Sequence, residues 1–600
     1  MERRTGQLCL DRLTCSCVHL SVRMSARAGI LCSLVLASVV LGASSGSSHE
    51  CQRPCKVGQP PKKCNYVFTL QSHVTLSRKA CGDCPRNESD CYQPNCVTPI
   101  SDKVRTFFSV NRELPGPAIQ VCLGDTVEVE VRNRLPAGAE GALHWHGIPQ
   151  TGSPHMDGVP MLTQCPVPPV LQQIDGIYGA LIVRDSTYEH DDDQVLVISP
   201  WTEELQSGVY GVLHGDLLRQ ATPTALLING RGTLRKENDE TVQLAHATVT
   251  AGKPALLRLI NAAALDCPVQ VTLPSHLMRV RRIADAAVKT VTVKSIQIFP
   301  GERYDVEVLA QHPGEFKLLV QGNHTCQATP TLQGILHVLA SNLKKTRQIR
   351  EVSLTEYESM TSECVNSSKS TLCSLDLEAA TELPLWSSEA NLAFSLPFGR
   401  APVSPVNEDD LEFRFVLDDV AYYPTFLQDT AASDCPRLHP SFTLKTRRQW
   451  LAGSARVCLH MTRRLRRLHE DQEELVKIRL TIASVLTSSE LLSTPRCISR
   501  CVTQIKKSKD CWRATEDTEW RHVTRPVLRD TVVVPRGGAV KLRLLASNPG
   551  FWLLEARAGH IASAGVGVAA VLQVGDRTLM PPVPKDFPRC SGIKPEDVIF

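Results

Sequence analysis

Residues 126–132 read TVEVEVR, with valines alternating strictly with polar or charged side chains. Successive side chains of an extended strand point to opposite faces, so this stretch reads as a half-buried β-strand. Working outward, the pattern recurs at 118–121 and 180–184, and at 194–199 (QVLVIS). It returns at 255–260, 291–299, 315–321, 412–417 and 540–545. Turn signals such as LPGP at 114–117 and NGRG at 229–232 separate the runs. Many short strands broken by turns predict an all-β chain of sandwich domains. At 600 residues the chain exceeds what one core supports.

The reading divides the chain as follows: a signal-peptide region at 1–46, a cysteine-rich segment at 47–100 and a first sandwich at 101–187. A second sandwich at 194–345, a linker at 346–405 and a third sandwich at 406–600 complete it. The polar run 185–193 (DSTYEHDDD) reads as a solvated loop closing the first sandwich. Residues 462–475 (TRRLRRLHEDQEEL) lack strand alternation and read as a solvated charged helix. A heparin-binding role for its basic half is disfavoured, because acidic residues follow at once.

Arg23 and Arg27 precede the apolar run 28–42 (AGILCSLVLASVVLG), and small residues follow at 43–48. That order reads as a secretory signal, with Met24 as a tidier start. The run is shorter than the roughly 20 residues of a spanning helix. The expectation is a secreted protein with no membrane span in the mature chain. Net charge is +4, with 21% charged residues, which gives no reason to expect a nucleic-acid partner.

Of 23 cysteines, a cluster occupies Cys51, Cys55, Cys64, Cys81, Cys84, Cys91 and Cys96. Cys81-Gly-Asp-Cys84 matches half a zinc site or a redox pair, but no second CxxC follows. In an exported chain, disulfides are the favoured reading, with pairing not deducible from spacing. Asn87, Asn323 and Asn366 head glycan-acceptor triplets.

The sharpest chemical signal is Leu143-His144-Trp145-His146-Gly147. On a strand, His144 and His146 would share one face about 6–7 Å apart, an arrangement suited to copper or zinc. The competing reading has them simply filling a core strand. The longer stretch 144–166, HWHGIPQTGSPHMDGVPMLTQCP, resembles the first copper motif of arthropod laccases, within the multicopper oxidase family. DGIYG at 175–179, GERYD at 301–305, NPGFW at 548–552 and PPVP at 581–584 are similar to that family too, in the same order.

The resemblance implies three cupredoxin-like β-sandwich domains, the first and third degenerate here. In active members it implies copper cofactors and oxidation of diphenols, with O2 reduced to water. It makes His144 and His146 residual copper-cluster ligands and Asp157 a proton-handling acid.

Other parts of the family pattern are missing. Between Pro166 and Asp175 the second histidine motif is absent, leaving an apparent gap near 166–175. Between about 440 and 520 there is no His-Pro-x-His, and His439-Pro440 is the nearest string. After NPGFW, Glu555 and Arg557 stand where cluster histidines belong, Ala556 where the thiolate belongs and Ile561 where the last histidine belongs. His560 lies one place out of register.

The expected function is therefore that of a secreted, non-catalytic family member, a binding or matrix-associated pseudoenzyme with an extracellular ligand or protein as partner. The alternatives are a copper-dependent laccase-like oxidoreductase, or a weak metal-binding protein holding at most one loosely bound ion at His144 and His146.

Overall fold

A computed structural model of the chain describes residues 49–73, 106–135, 141, 143–158, 169–186, 192–203, 223–232, 245–264, 267–322, 326, 332–340, 356–361, 371–382, 398–403, 412–417, 441–445, 454–458, 486–492, 521–522, 524–533, 539–544, 547–555, 569–574 and 577–584. Two compact units emerge, the smaller from 1–68, 118–132 and 181–189, and the larger from the remainder. The signal region, Asn87, Asn323, Asn366, Ala556, Arg557, Ile561 and the charged stretch 462–475 lie outside the described residues. Among the described residues, no helix is long and apolar enough to cross a membrane.

The first strands are β1 (Lys63–His73), β2 (Phe107–Val110), β3 (Gly116–Cys122), β4 (Thr126–Arg134) and β5 (Gly179–Arg184). In the smaller unit the first half of β1 buries Cys64, Tyr66 and Phe68 and exposes the residues between, as alternation requires. The TVEVEVR strand forms as β4, although only Val129 is fully buried. Disulfides Cys51–Cys64 and Cys55–Cys122 tie the incoming segment to this unit. Arg53 grips Asp125 through two hydrogen bonds of 2.7 and 2.8 Å, and Asp125 also accepts from the amides of Lys62 and Cys122. These bonds, the Arg53 one above all, hold the Asp125 carboxyl well below the usual carboxylate range.

In the larger unit, the second half of β1 pairs antiparallel with β2, from Leu70 opposite Val110 to His73 opposite Phe107. Its largest sheet takes β6 (Asp192–Trp201), β7 (Ala225–Ile228), β8 (Ala245–Thr250), β9 (Pro254–Asn261), β10 (Val269–Thr272) and β11 (Met278–Ile283). It continues with β12 (Ala286–Ile298), β13 (Arg303–Leu309), β14 (Gly314–Gly322), β15 (Leu332–Leu339), β16 (Glu356–Thr361) and β17 (Thr371–Cys373). The order is β7-β6-β9-β13-β11-β12-β10-β14-β15-β8, with β16 beside β12 and β17 beside β16. Pairing is antiparallel along that path, except that β6 runs parallel to β9 and β15 to β8.

Leu257, Leu259, Val293, Ile296, Val306 and Leu336 are among the fully buried side chains of its core. Each such residue contributes roughly 1.5–3 kcal/mol relative to exposure. The disulfide Cys267–Cys326 closes one end. Residues 356–361 and 371–373, within the stretch read as a linker, are thus strands of this sheet, and Met360 is fully buried in it.

The acidic run 185–193 is not solvated at its end. Asp192 accepts from the Thr250 amide at 2.8 Å, and Asp193 takes Arg258 Nε at 2.9 Å. Arg258 is almost wholly buried between Asp193 and Asp305, so the run's last residues start β6 as partners of an interior guanidinium.

Beyond residue 390 come β18 (Phe398–Val403), β19 (Glu412–Leu417), β20 (Ser441–Lys445), β21 (Ser454–Cys458) and β22 (Leu486–Leu492). Then follow β23 (Arg521–His522), β24 (Leu528–Arg529), β25 (Ala539–Leu544), β26 (Gly550–Glu555) and β27 (Ala569–Val574). One sheet orders as β20-β21-β27-β26, and β22 pairs with β23, β24 and β25. Where the sequence shows the gap after Pro166, a short helix, α1 (Pro169–Asp175), leads into DGIYG.

Candidate functional site

His144 and His146 do not lie on a strand. Residues 143–145 are irregular, and His146 and Gly147 form a turn in which Gly147 has φ +90°. The expected shared face therefore fails, because a turn does not impose the two-residue alternation of a pleated strand. The rings nevertheless come together, with centroids 5.5 Å apart and planes at 83°.

Each imidazole has its own carboxylate. His144 Nδ1 donates to the Asp157 carbonyl at 2.9 Å and lies 3.2 Å from its Oδ1. A carbonyl only accepts, so this bond puts the proton on Nδ1 and the lone pair of the neutral ring on Nε2. Asp157 is buried, at the end of a single 3-10 turn (Pro154–Met156). His146 Nε2 sits 3.0 Å from Thr531 Oγ1 and 3.4 Å from Asp530 Oδ1. With Asp530 ionised, that nitrogen carries the proton and Nδ1 the lone pair.

Asp530 in turn takes both ends of Arg303, at 2.7 and 2.5 Å, and Arg303 also donates to the Gly301 carbonyl at 2.9 Å. Burial opposes the charge on Asp530, but the bonds from Arg303 and His146 prevail and hold it well below the usual carboxylate range. Burial, then the Arg303 charge, depresses His146 to about 4, so its ring is neutral at pH 7. Arg303 belongs to GERYD, noted in the sequence for its resemblance. Asp530 and Thr531 carried no sequence signal, since they meet His146 across more than 380 residues.

The NPGFW segment closes the site from another side. Asn548 Nδ2 donates to the Pro149 carbonyl at 2.6 Å, and Trp552 Nε1 donates back to the Asn548 carbonyl. Gly550 opens β26 so close to Pro154 that an added Cβ would lie 2.8 Å from that ring. Glu555 is the last residue of the same strand. The HWHG loop region and the NPGFW segment therefore do converge.

Gly158 fixes the loop under His144. It has φ +71°, and a Cβ there would lie 2.0 Å from the Leu143 carbonyl oxygen. Gly158→Ala is expected to cost about 3 kcal/mol and to displace the His144 backbone, combining a left-handed conformation with a backbone clash. Thermal unfolding reads the first effect. A variant as stable as the parent would contradict this account of the loop.

A third acid adjoins Arg303 in the chain. Glu302 is fully buried, accepts from the Phe299 amide at 2.9 Å and touches Tyr304 Oη at 3.4 Å. Burial pushes its carboxyl up to about 7, against the opposing pull of the Phe299 amide and the Arg529 charge. Arg529 is itself buried and donates to the Ser374 carbonyl.

Copper, the metal that the sequence resemblance implies, is poorly matched by these donors. Among the described residues, the one set of three or more candidate ligands close together is Cys51, Cys64 and Asp125, and its two sulfurs are already joined. Among the described residues, no third imidazole or thiolate stands with His144 and His146 in such a set, and the fixed Arg303 cation beside His146 disfavours a second positive charge.

Three multicopper oxidase family models match the chain in order, at residues 93–174, 192–341 and 502–576. Laccase-1 of Cryptococcus neoformans var. grubii is 31% identical over 239 residues, covering 33% of this chain. The chain spans only 38% of that laccase's length. Putative laccase-18 of Oryza sativa subsp. indica is 24% identical over 549 residues, covering 81% of this chain and 90% of the rice protein. Fet3p, a multicopper oxidase that functions in iron import, superposes with a TM-score of 0.56 at 16% identity, over 84% of this chain and 90% of its own. The three matched regions together take in more than half of the residues and carry the HWHG loop, the GERYD strand and the NPGFW segment, so the chain belongs to the multicopper oxidase family.

Proposed function

We propose that this protein is a secreted, non-catalytic member of the family, akin to the ligand-poor relatives of arthropod laccases. Its work would be binding, in the extracellular space or its matrix. The observation that carries the reading is the company kept by His144 and His146. Asp157, Asp530 and Thr531 engage their ring nitrogens, and Arg303 stands alongside. A carboxylate behind a histidine can orient a metal ligand, so what weighs against a copper centre is the Arg303 cation alongside and the want, among the described residues, of a third imidazole or thiolate close by. The sequence supports the same view at Glu555, Ala556, Arg557 and Ile561. In this reading Asp157 positions His144 and moves no proton to oxygen.

The similarity to laccases over most of the chain favours a second reading, an active copper oxidase acting on diphenols. One experiment separates the two. The full chain, expressed with copper and purified, would be measured for copper per molecule, for a blue absorption band, and for oxygen uptake with a diphenol. The expected result is at most about one copper per molecule, no blue band and no uptake. A blue protein carrying a full complement of copper would refute the proposal, whatever its turnover.

A further inference from the structure

A second pair of histidines lies on the outer face of the largest sheet, where β14, β15 and β8 run side by side. On β8, Ala245, Ala247 and Val249 are buried and His246 is exposed. On β15, Leu336 and Val338 are buried and His337 faces outward between them. In the parallel register His246 stands opposite Ile335, and His337 opposite Thr248. The two histidines are therefore diagonal neighbours, close enough for long side chains to meet. Their rings stack with centroids 4.8 Å apart and planes 23° apart, and His246 Nδ1 lies 2.8 Å from His337 Nε2. Glu315, directly opposite His337 on β14, puts Oε1 3.2 Å from His337 Nδ1.

We propose that His246 and His337 form a surface site for a divalent late transition metal, copper(II) above all, with Glu315 as a positioning residue. The carboxylate fixes the tautomer. His337 donates its Nδ1 proton to Glu315, which leaves the Nε2 lone pair directed at His246. A carboxylate behind a ligating histidine orients the ring and raises its basicity. His246 Nδ1 then carries the shared proton. The metal takes that proton's place: the neutral His246 ring shifts to its other tautomer, Nδ1 giving up its proton to water as Nε2 gains one, with no net release, the rings swing so that both lone pairs meet the ion, and water fills the other positions.

The spacing suits this exchange. Metal–nitrogen bonds of about 2.0 Å meeting at a right angle span about 2.8 Å, the neighbouring-ligand edge of a tetragonal site. Copper(II) prefers that geometry and heads the affinity order of the divalent series. The pair is separate from His144 and His146 and needs none of the family's copper machinery.

The test uses the full chain, stripped with a chelator and titrated with copper(II). Affinity is followed by calorimetry and the number of coordinated nitrogens by electron paramagnetic resonance. His246→Ala and His337→Ala are each expected to weaken the first equivalent at least about tenfold and to remove one nitrogen from the spectrum. Glu315→Gln is expected to weaken it about tenfold while keeping both nitrogens. A His144→Ala/His146→Ala double variant should bind that equivalent as the parent does. Retention of affinity and spectrum in a His246→Ala/His337→Ala chain would overturn the proposal. So would no binding by the parent, or loss of the first equivalent in the His144→Ala/His146→Ala chain alone. All the substituted side chains of this pair are at the surface, and circular dichroism verifies that each variant folds.

Discussion

Asp530→Ala is expected to destabilise the larger unit by about 3 kcal/mol, read as a lower urea midpoint with an unchanged slope. Asp530 is 8% accessible and holds a guanidinium that is itself 20% accessible. Removing the acid strands a mostly interior cation and leaves His146 without its carboxylate. The penalty comes chiefly from that unpaired charge rather than from the lost attraction. Arg303→Met combined with Asp530→Leu should therefore be less damaging than Asp530→Ala alone, because no ion then remains to be solvated. Asp530→Asn should fall between, since it keeps an acceptor for Arg303 and loses the charge. If the single alanine variant unfolds at the parent's midpoint, the Arg303–Asp530 clamp does not hold the 530 segment in place.

The second large effect is in the pH dependence of stability, and it has two opposite halves. Glu302 has its folded pKa raised to about 7 from an ordinary 4.5. Its proton is kept in the folded chain and lost in the unfolded one between those values. The stability it contributes is fully present below pH 4.5 and is lost as pH rises to about 7, a change of about 3 kcal/mol. Glu302→Gln mimics the protonated form throughout, so its stability relative to the parent should climb by that amount across the window.

His146 runs the other way. Its folded pKa is depressed to about 4 from 6.5, so the stability it contributes is present above pH 6.5 and is lost as pH falls toward 4. The ring stays 31% accessible, so solvent screens part of the effect, and about 2 kcal/mol is expected. Relative to the parent, His146→Gln should gain that amount on acidification. The two slopes overlap and offset one another between pH 4.5 and 6.5, so the parent hides what the variants expose. Parallel curves for Glu302→Gln and parent from pH 4.5 to 7.5 would show that Glu302 is ionised as readily as a surface acid.

Much of the β-architecture was readable from alternation alone. Residues 412–417 form a strand with the expected ends, and 126–132, 255–260 and 315–321 each lie within an observed one. Alternation reports a local property, the exposure of every second side chain, and that is why it succeeds. It fails at His144-Trp145-His146, where identical spacing occurs in a turn set by Gly147 and by the contact of Gly158 with Leu143. The pairing of those histidines with Asp157 was within reach of the sequence, because the acid follows in the same loop. Their link to Asp530, Thr531 and Arg303 was not, because no local pattern marks residues that meet only after the chain has doubled back. Asp193 shows the same blind spot. Three consecutive acids look solvent-facing until Arg258 is found opposite one of them.

The placement of β16 also bears on how the protein can be cut. It lies parallel to β12, with Thr292 opposite Glu356 and Ile296 opposite Met360, and β17 extends the same edge. A recombinant fragment trimmed at residue 345, where the sequence reading ends the second sandwich, would bare amide and carbonyl groups along β12 and remove Met360 from the apolar core. Such an open border recruits other chains and invites aggregation. The smallest soluble piece built around this sheet should run to about residue 380, where Ala379 bridges back to Val288.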